Sequence, residues 1–221
     1  MATTKQIKWL AVLAVILLVG IVLIMRGRTS VKKSDGFWAD AWNENMNRKY
    51  NEMTPDSGAI VFAGTSLTYN FPLDSMLPGY RIKNRGIPWN QSRHLLNRLK
   101  SILNRAPGQL YIEIGINDLI QGVAEDSLFA NCQSIITQTQ TAGVRLHFQS
   151  LLPTRGKYKY LLPCIQSFNR RLKEYCFLNK IDYVDLFSGL SLQGELDPLI
   201  STDGLHLNLE GYKRWKKLLK L

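Results

Sequence analysis

Residues 59–67 read AIVFAGTSL, an apolar run that ends in glycine and then turns polar at Thr65 and Ser66. A run of this length, rich in branched and aromatic residues and closed by glycine, predicts a strand with a serine just beyond its carboxyl end. Four more runs of the same kind follow: YRIKNRG (80–86), QLYIEIG (109–115), VRLHFQSLL (144–152) and IDYVDLF (181–187). Helical stretches are expected between them near 90–105, 125–141 and 160–179, with a last one from about Leu209 to Leu219. Several close on glycine or proline, as at Ala106-Pro107-Gly108 and Gly143. Strands alternating with helices imply right-handed crossovers and a parallel sheet covered on both faces. The expected fold is therefore a three-layer α/β/α sandwich on five parallel strands.

Upstream of this core, Phe37, Trp38, Trp42, Met46 and Tyr50 recur at helical spacing, predicting an amphipathic helix to about Met53 whose tryptophans pack into the core. Val31 to Asp35 reads as a polar linker. Before it, Trp9 to Met25 is WLAVLAVILLVGIVLIM, 17 residues without a polar side chain, enough for one membrane-spanning helix. Lys8, Trp9 and Arg26 suit the two interfaces, and MRGRTS (25–30) offers no small-x-small cleavage site, so the segment reads as an uncleaved anchor. The chain divides into an anchor with a basic flank, 1–33, and one globular domain, 34–221. Basic residues stand on both sides of the apolar run. The expectation that the domain lies outside the cytoplasm rests on the shortness of the N-terminal tail.

The net charge of +11 suggests nucleic acid until it is located. Six basic residues and no acid fall within residues 1–33, leaving +5 for the rest. No basic stripe interleaved with aromatics occurs, so nucleic acid is not an expected partner. Cys132, Cys164 and Cys176 form no CxxC pair, which excludes a disulfide-built scaffold and argues against a zinc ribbon. A Cys164–Cys176 bridge stays open for a domain outside the cytoplasm. GxSxG, phosphate-loop, dinucleotide and HExxH signatures are absent, and neither a metal nor a cofactor is expected.

Ligands of open parallel sheets bind beyond the carboxyl ends of the strands. At those ends stand Gly64-Thr65-Ser66, Asn84-Arg85-Gly86 and Gly115-Ile116-Asn117-Asp118, and the last loop carries Asp203-Gly204-Leu205-His206. Acyl transfer needs this set. Ser66 requires a base to take its proton, and His206 can serve near neutral pH. Asp203 can fix the histidine tautomer. Asn117 and the backbone N–H groups of Ser66 and Gly86 are candidate donors to a developing oxyanion. His94 and His147 lie outside these blocks and read as structural.

In order and spacing the four blocks resemble the SGNH/GDSL hydrolase family over about residues 58–215. The nucleophile block corresponds to Gly64–Leu67, the glycine to Gly86, the asparagine to Asn117 and DxxH to Asp203–His206. NRGI (84–87) and IGINDL (114–119) particularly resemble the branch containing platelet-activating-factor acetylhydrolase-like esterases. The resemblance implies a flavodoxin-like sandwich and a metal-free serine esterase. Two departures stand out. Thr65 replaces the aspartate of the family motif, and Ile87-Pro88-Trp89-Asn90 replaces a run of small residues, so Trp89 is expected to shape the acyl pocket.

The expected substrate is a small-molecule or glycan ester carrying a short acyl group such as acetyl. Arg155 and Lys157, in the loop after strand four, are candidates for contacting an anionic group on it. A lysophospholipase or thioesterase at the membrane surface is the alternative enzyme. A binding or assembly protein that kept the fold is the alternative outside catalysis. The sequence carries no reading of oligomeric state.

Overall fold

The five strand-like runs form one sheet in which AIVFAG, an inner strand, is buried along its length, while the edge runs carry polar residues. In the computed structural model, which describes residues 33–54 and 56–221, the runs are β1 (Ile60–Gly64), β2 (Ile82–Gly86), β3 (Gln109–Glu113), β4 (Arg145–Gln149) and β5 (Asp182–Val184). All pair in parallel, in the order β2-β1-β3-β4-β5. The chain moves outward one way from β1 to β2 and the other way from β3 onward. The crevice between β1 and β3 is therefore the switch point at which such sheets bind ligands. Register sets Gly64 level with both Gly86 and Glu113, so the three strands end in one row and their next residues make one rim.

Side-chain alternation divides the core in two. Val61, Ala63, Leu110 and Ile112 face helices α4 (Ser92–Leu103), α6 (Glu125–Thr141) and α7 (Leu162–Leu178), packing with Leu99, Ile135, Phe168 and Leu172. Ile60, Phe62 and Tyr111 point the other way, toward Phe71, Leu186 and Trp215 of the C-terminal helix α9 (Leu209–Leu218). Trp215 is fully buried, and its indole N–H meets Gln149 Oε1 at 2.7 Å, satisfying the polar atom that burial would otherwise strand.

The four long helices after β1 lie within a few residues of their expected positions. Shorter pieces were not expected: α2 (Ser66–Tyr69), α3 (Leu73–Met76), α5 (Ile116–Ile120), α8 (Leu186–Leu190) and a hairpin of β6 (Ser191–Leu192) and β7 (Glu195–Leu196). Helices of four or five residues are too short to show a 3.6-residue period. Strands four and five also end sooner than the apolar runs, because Leu151, Leu152 and Leu186 are buried without being paired.

Helix α1 spans Lys33–Glu52, so it takes in part of the stretch read as a linker. Apolar spacing marks where a buried face starts rather than where a helix starts. That face is Asn43, Met46 and Tyr50, whereas Trp42 is 42% exposed and corrects the expectation that it packs in the core. A compact unit runs from Asn43 to Leu221; residues up to Trp42 form a separate unit. The apolar run 9–25 lies outside the described residues. Among those described, no helix is long and apolar enough to cross a membrane.

Cys132 and Cys176 are buried free thiols and Cys164 is exposed. Cys164 and Cys176 stand on the same helix, α7, roughly 18 Å apart at 1.5 Å per residue, which is too far for a disulfide.

Candidate active site

Leaving β1, the chain turns at Thr65, which caps α2 by accepting from the Leu67 N–H, and Ser66 opens the helix. The Ser66 N–H has no intrahelical acceptor at this first position and is left as a donor at the rim. Tyr212 of α9 holds the other end of the turn, its hydroxyl donating to Leu67 O at 2.9 Å.

His206 reaches the same point from a separately braced loop. A bridge between Ser201 and Leu207 closes the loop, and Ser201 Oγ accepts from Gly204 N and donates to His206 O. Gly204 has φ +83, and a side chain there would run into Arg155 O, so only glycine fits. Asp203 Oδ1 accepts from the backbone N–H groups of Leu205 and His206, and its Oδ2 lies 2.8 Å from His206 Nδ1. Partial burial raises the Asp203 carboxyl. The hydrogen bonds from the His206 ring and from these two backbone groups outweigh it and hold the acid below its ordinary range. With Nδ1–H given to Asp203, His206 Nε2 is the acceptor, 3.0 Å from Ser66 Oγ. The three residues picked from the sequence as nucleophile, base and orienting acid thus form one chain of hydrogen bonds.

Asn117, buried at the start of α5, gives one amide hydrogen to Asn90 O at 3.0 Å and has a second to offer. Asp118 beside it accepts from the Ser92 N–H and hydroxyl, so the pair at the β3 exit fixes the loop leaving β2. Gly86 departs from its expected role. Its single N–H is taken by Asn84 Oδ1 at 2.9 Å, so it is not a free oxyanion donor. Its glycine identity is steric, since a Cβ would run into the backbone of Thr68 and Tyr69.

Trp89 turns the following loop with φ +64, a conformation few non-glycine residues adopt, and its side chain is 62% exposed. Arg155 and Lys157 are exposed. The Arg155 N–H bonds to Gly204 O at 2.8 Å, which places this basic loop against the segment that carries Asp203 and His206. Lys157 lies over the ring of its neighbour Tyr158, 4.9 Å from the centroid. His94 Nδ1 accepts from Gln91 N in a capping box of α4, and His147 is stacked on Tyr111. Burial pushes His147 down to about 4, so it is neutral, and neither histidine belongs to the site.

The sequence reading missed Glu113. The last residue of β3 is fully buried, and its Oε2 accepts from Thr65 Oγ1 at 2.7 Å, directly behind the nucleophile. The available signal was an acid inside QLYIEIG, since a central parallel strand is covered on both faces and seldom holds a charge. Among the described residues, no group of three or more His, Cys, Asp or Glu is placed to hold a metal.

Comparison with known proteins agrees with this geometry. The family model of the GDSL-like lipase/acylhydrolase family matches residues 64–214, well over half the chain. A Streptococcus pneumonia protein provisionally described as a platelet activating factor superposes with TM-score 0.75 at 27% identity, over 84% of this chain and 94% of that one. An acetylxylan esterase from Geobacillus stearothermophilus shares the fold, with TM-score 0.63 at 18% identity over 75% of this chain and 94% of that one. Among curated sequences, an N-acylneuraminate cytidylyltransferase from Streptococcus agalactiae is 27% identical over 81% of this chain. The chain spans only 40% of that relative, and 28% of another of the same name and species. With its four blocks gathered on one rim and the family matched across them, the chain belongs to the GDSL-like lipase/acylhydrolase family.

Proposed function

We propose that this protein is a membrane-tethered serine esterase that removes a short acyl group, acetyl foremost, from a sugar hydroxyl. The observation that carries the serine mechanism is the hydrogen-bonded chain Ser66–His206–Asp203 at the switch point between β1 and β3. Ser66 Oγ attacks the ester carbonyl as His206 Nε2 takes its proton, and Asp203 stabilises the imidazolium that results. The same proton goes to the departing sugar oxygen as the C–O bond breaks and leaves an acyl-serine. Water, deprotonated by His206, then attacks that ester and releases the acid.

The oxyanion of each tetrahedral intermediate faces the Ser66 N–H and the second Asn117 amide hydrogen. The third donor, in place of Gly86, is the N–H of Trp89. The loop 87–90 is pinned at one end by Ile87 N to Gly64 O and at the other by Asn117 to Asn90 O. Within it, Ile87 and Asn90 spend their N–H groups on backbone carbonyls and Pro88 has none, which leaves Trp89.

The sugar reading draws support from the name of the Streptococcus agalactiae relatives, which refers to an acylated acidic sugar. It also draws on the exposed Trp89 ring, a surface on which a sugar can stack, and on Arg155 and Lys157 beside the catalytic loop, which suit a carboxylate on the substrate. The tether rests on the apolar run 9–25.

The test is hydrolysis by the full-length chain in mild detergent, beside Ser66→Ala. Aryl acetate is expected to be cleaved by the wild type and not by the variant, and an O-acetylated acidic sugar to be preferred over a neutral one. Arg155→Ala with Lys157→Ala should erase that preference. If the rate instead climbs with acyl chains beyond about eight carbons, at up to ~0.8 kcal/mol per methylene, the substrate is a lipid and the sugar reading fails.

A further inference from the structure

Directly behind the nucleophile sits a carboxyl group that the acyl-transfer chemistry does not use. Glu113 is wholly enclosed, and the groups around it are few. From α2, the Thr65 hydroxyl donates to Oε2 at 2.7 Å and the Thr68 hydroxyl reaches the same oxygen at 3.5 Å. The second oxygen, Oε1, is buried without a hydrogen-bond partner. Among the described residues, no guanidinium or ammonium pairs with the acid. The titratable groups whose charge it feels or affects are the His206 ring, from the catalytic loop, and the Tyr212 phenol, from α9.

Thr65 is the hinge of this arrangement. Its Oγ1 donates to Glu113 and at the same time accepts from the Leu67 N–H, so one hydroxyl fixes the turn in which Ser66 stands. The family motif has an aspartate at this position, and here the acid stands across the contact, on β3. An aspartate at 65 would cap α2 by the same bond to Leu67 N, because carboxylates and hydroxyls both serve as N-caps. The pair Thr65–Glu113 therefore supplies the same two elements, one N-cap and one acid, with their positions exchanged.

We infer that Glu113 is a positioning residue for Ser66: through Thr65 it locks the nucleophile turn, and its carboxylate supports the positive charge that His206 carries during attack. The inference rests on the serine mechanism proposed above. The protonation of Glu113 then matters for rate. Burial pushes the acid up to about 7 against hydrogen bonds from Thr65 and Thr68 and the charge of His206, so it changes state near neutral pH.

The experiment compares the rate at which a fluorophosphonate labels Ser66 in the full-length wild type, Glu113→Gln, Thr65→Asp and the exchange variant Thr65→Asp/Glu113→Gln, from pH 5 to 9. Thermal melts establish that each is folded. Wild type should lose reactivity toward acid in two steps, and Glu113→Gln should lack one of them and label about tenfold more slowly at pH 8, the scale on which a slightly misplaced reacting group is felt. Aryl-ester turnover should show that loss in kcat with KM unchanged. Thr65→Asp sets two carboxyls in contact and should be slower still, and the exchange variant should recover most of the loss. Wild-type rate at every pH in Glu113→Gln, or an exchange variant no faster than Thr65→Asp, overturns the inference. If Thr65→Asp does not fold, the pH profile of Glu113→Gln decides alone. A wild type that is not labelled at Ser66 overturns the serine mechanism itself, and the inference with it.

Discussion

Among the described residues, the carboxyl groups of Asp56 and Glu113 are completely shut off from water, and they are kept in opposite ways. Asp56, in the loop before β1, is held by cations: Arg85 Nη2 lies 2.5 Å from Oδ1, and the Nε atoms of Arg85 and Arg105 each lie 3.2 Å from Oδ2. The same arginines donate to the carbonyls of Tyr50, Asn51, Met53 and Thr54, stitching the end of α1 to β2. Glu113 has no cation beside it: its partners are the hydroxyls of Thr65 and Thr68 and the backbone N–H of Thr65, and its Oε1 is left without a hydrogen bond. A buried charge is tolerated when opposite charge and hydrogen bonds replace water, and without them the group holds its proton instead. The first acid pins the fold and the second lies within the site. Replacing Asp56 should therefore show in stability and replacing Glu113 in rate and pH dependence.

The largest effect expected belongs to the partly exposed third acid, which sets the scale for the other two. Asp203→Asn keeps the geometry but offers His206 the wrong partner, and kcat should fall by ~10⁴ while the melting temperature barely moves. Asp56→Ala should do the reverse. The buried Arg85 guanidinium and the partly buried Arg105 lose their counterion, at a cost of about 3–5 kcal/mol in denaturant unfolding, while kcat of the folded fraction stays within about twofold. An equal loss of kcat would mean that the pin and the site are not separate.

Glu113→Gln sharpens the contrast through pH. The folded chain holds this proton up to about pH 7, whereas the ordinary carboxyl releases it near 4.5, so folding takes up a proton in that window. Wild type should thus lose stability as pH rises from 4.5 to 7, the full cost being present above and absent below. The variant has no such slope. Its stability relative to wild type should improve by up to about 3 kcal/mol between pH 4.5 and pH 8, since one proton taken up on folding is worth ~1.4 kcal/mol for each pH unit crossed. Thermal melts at the two ends check this, and a constant difference would mean that Glu113 stays ionised when folded. Smallest is Asn117→Ala, if Ser66 and Trp89 share the oxyanion: a kcat loss of about 10²-fold, at the low end for one donor.

The sheet was legible because strand, helix and glycine follow one another with unambiguous periods, and the rim was legible because a parallel sheet dictates where its polar residues collect. Ser66, Asp203 and His206 could be placed from this alone. What escaped the sequence depended on contacts between elements. Gly86 was assigned as a donor because it stands at the rim where strand two ends, yet its N–H is spent on Asn84, two residues away. Trp89 in a left-handed turn contradicts the local preference that any sequence reading relies on, since bulky residues avoid that region. Trp42 obeys the helical period but lies off the buried face. Glu113 was visible as an anomaly in an apolar run, but its meaning came only from the register that sets it level with Gly64.

The central claim is that Ser66 is the nucleophile, activated by His206. Peptide mapping of the full-length chain after fluorophosphonate treatment tests it most directly. The account predicts a single adduct, on Ser66, absent from Ser66→Ala and formed at least ~10³-fold more slowly in His206→Ala. A folded wild type that carries no adduct, or carries it on another residue, would contradict it.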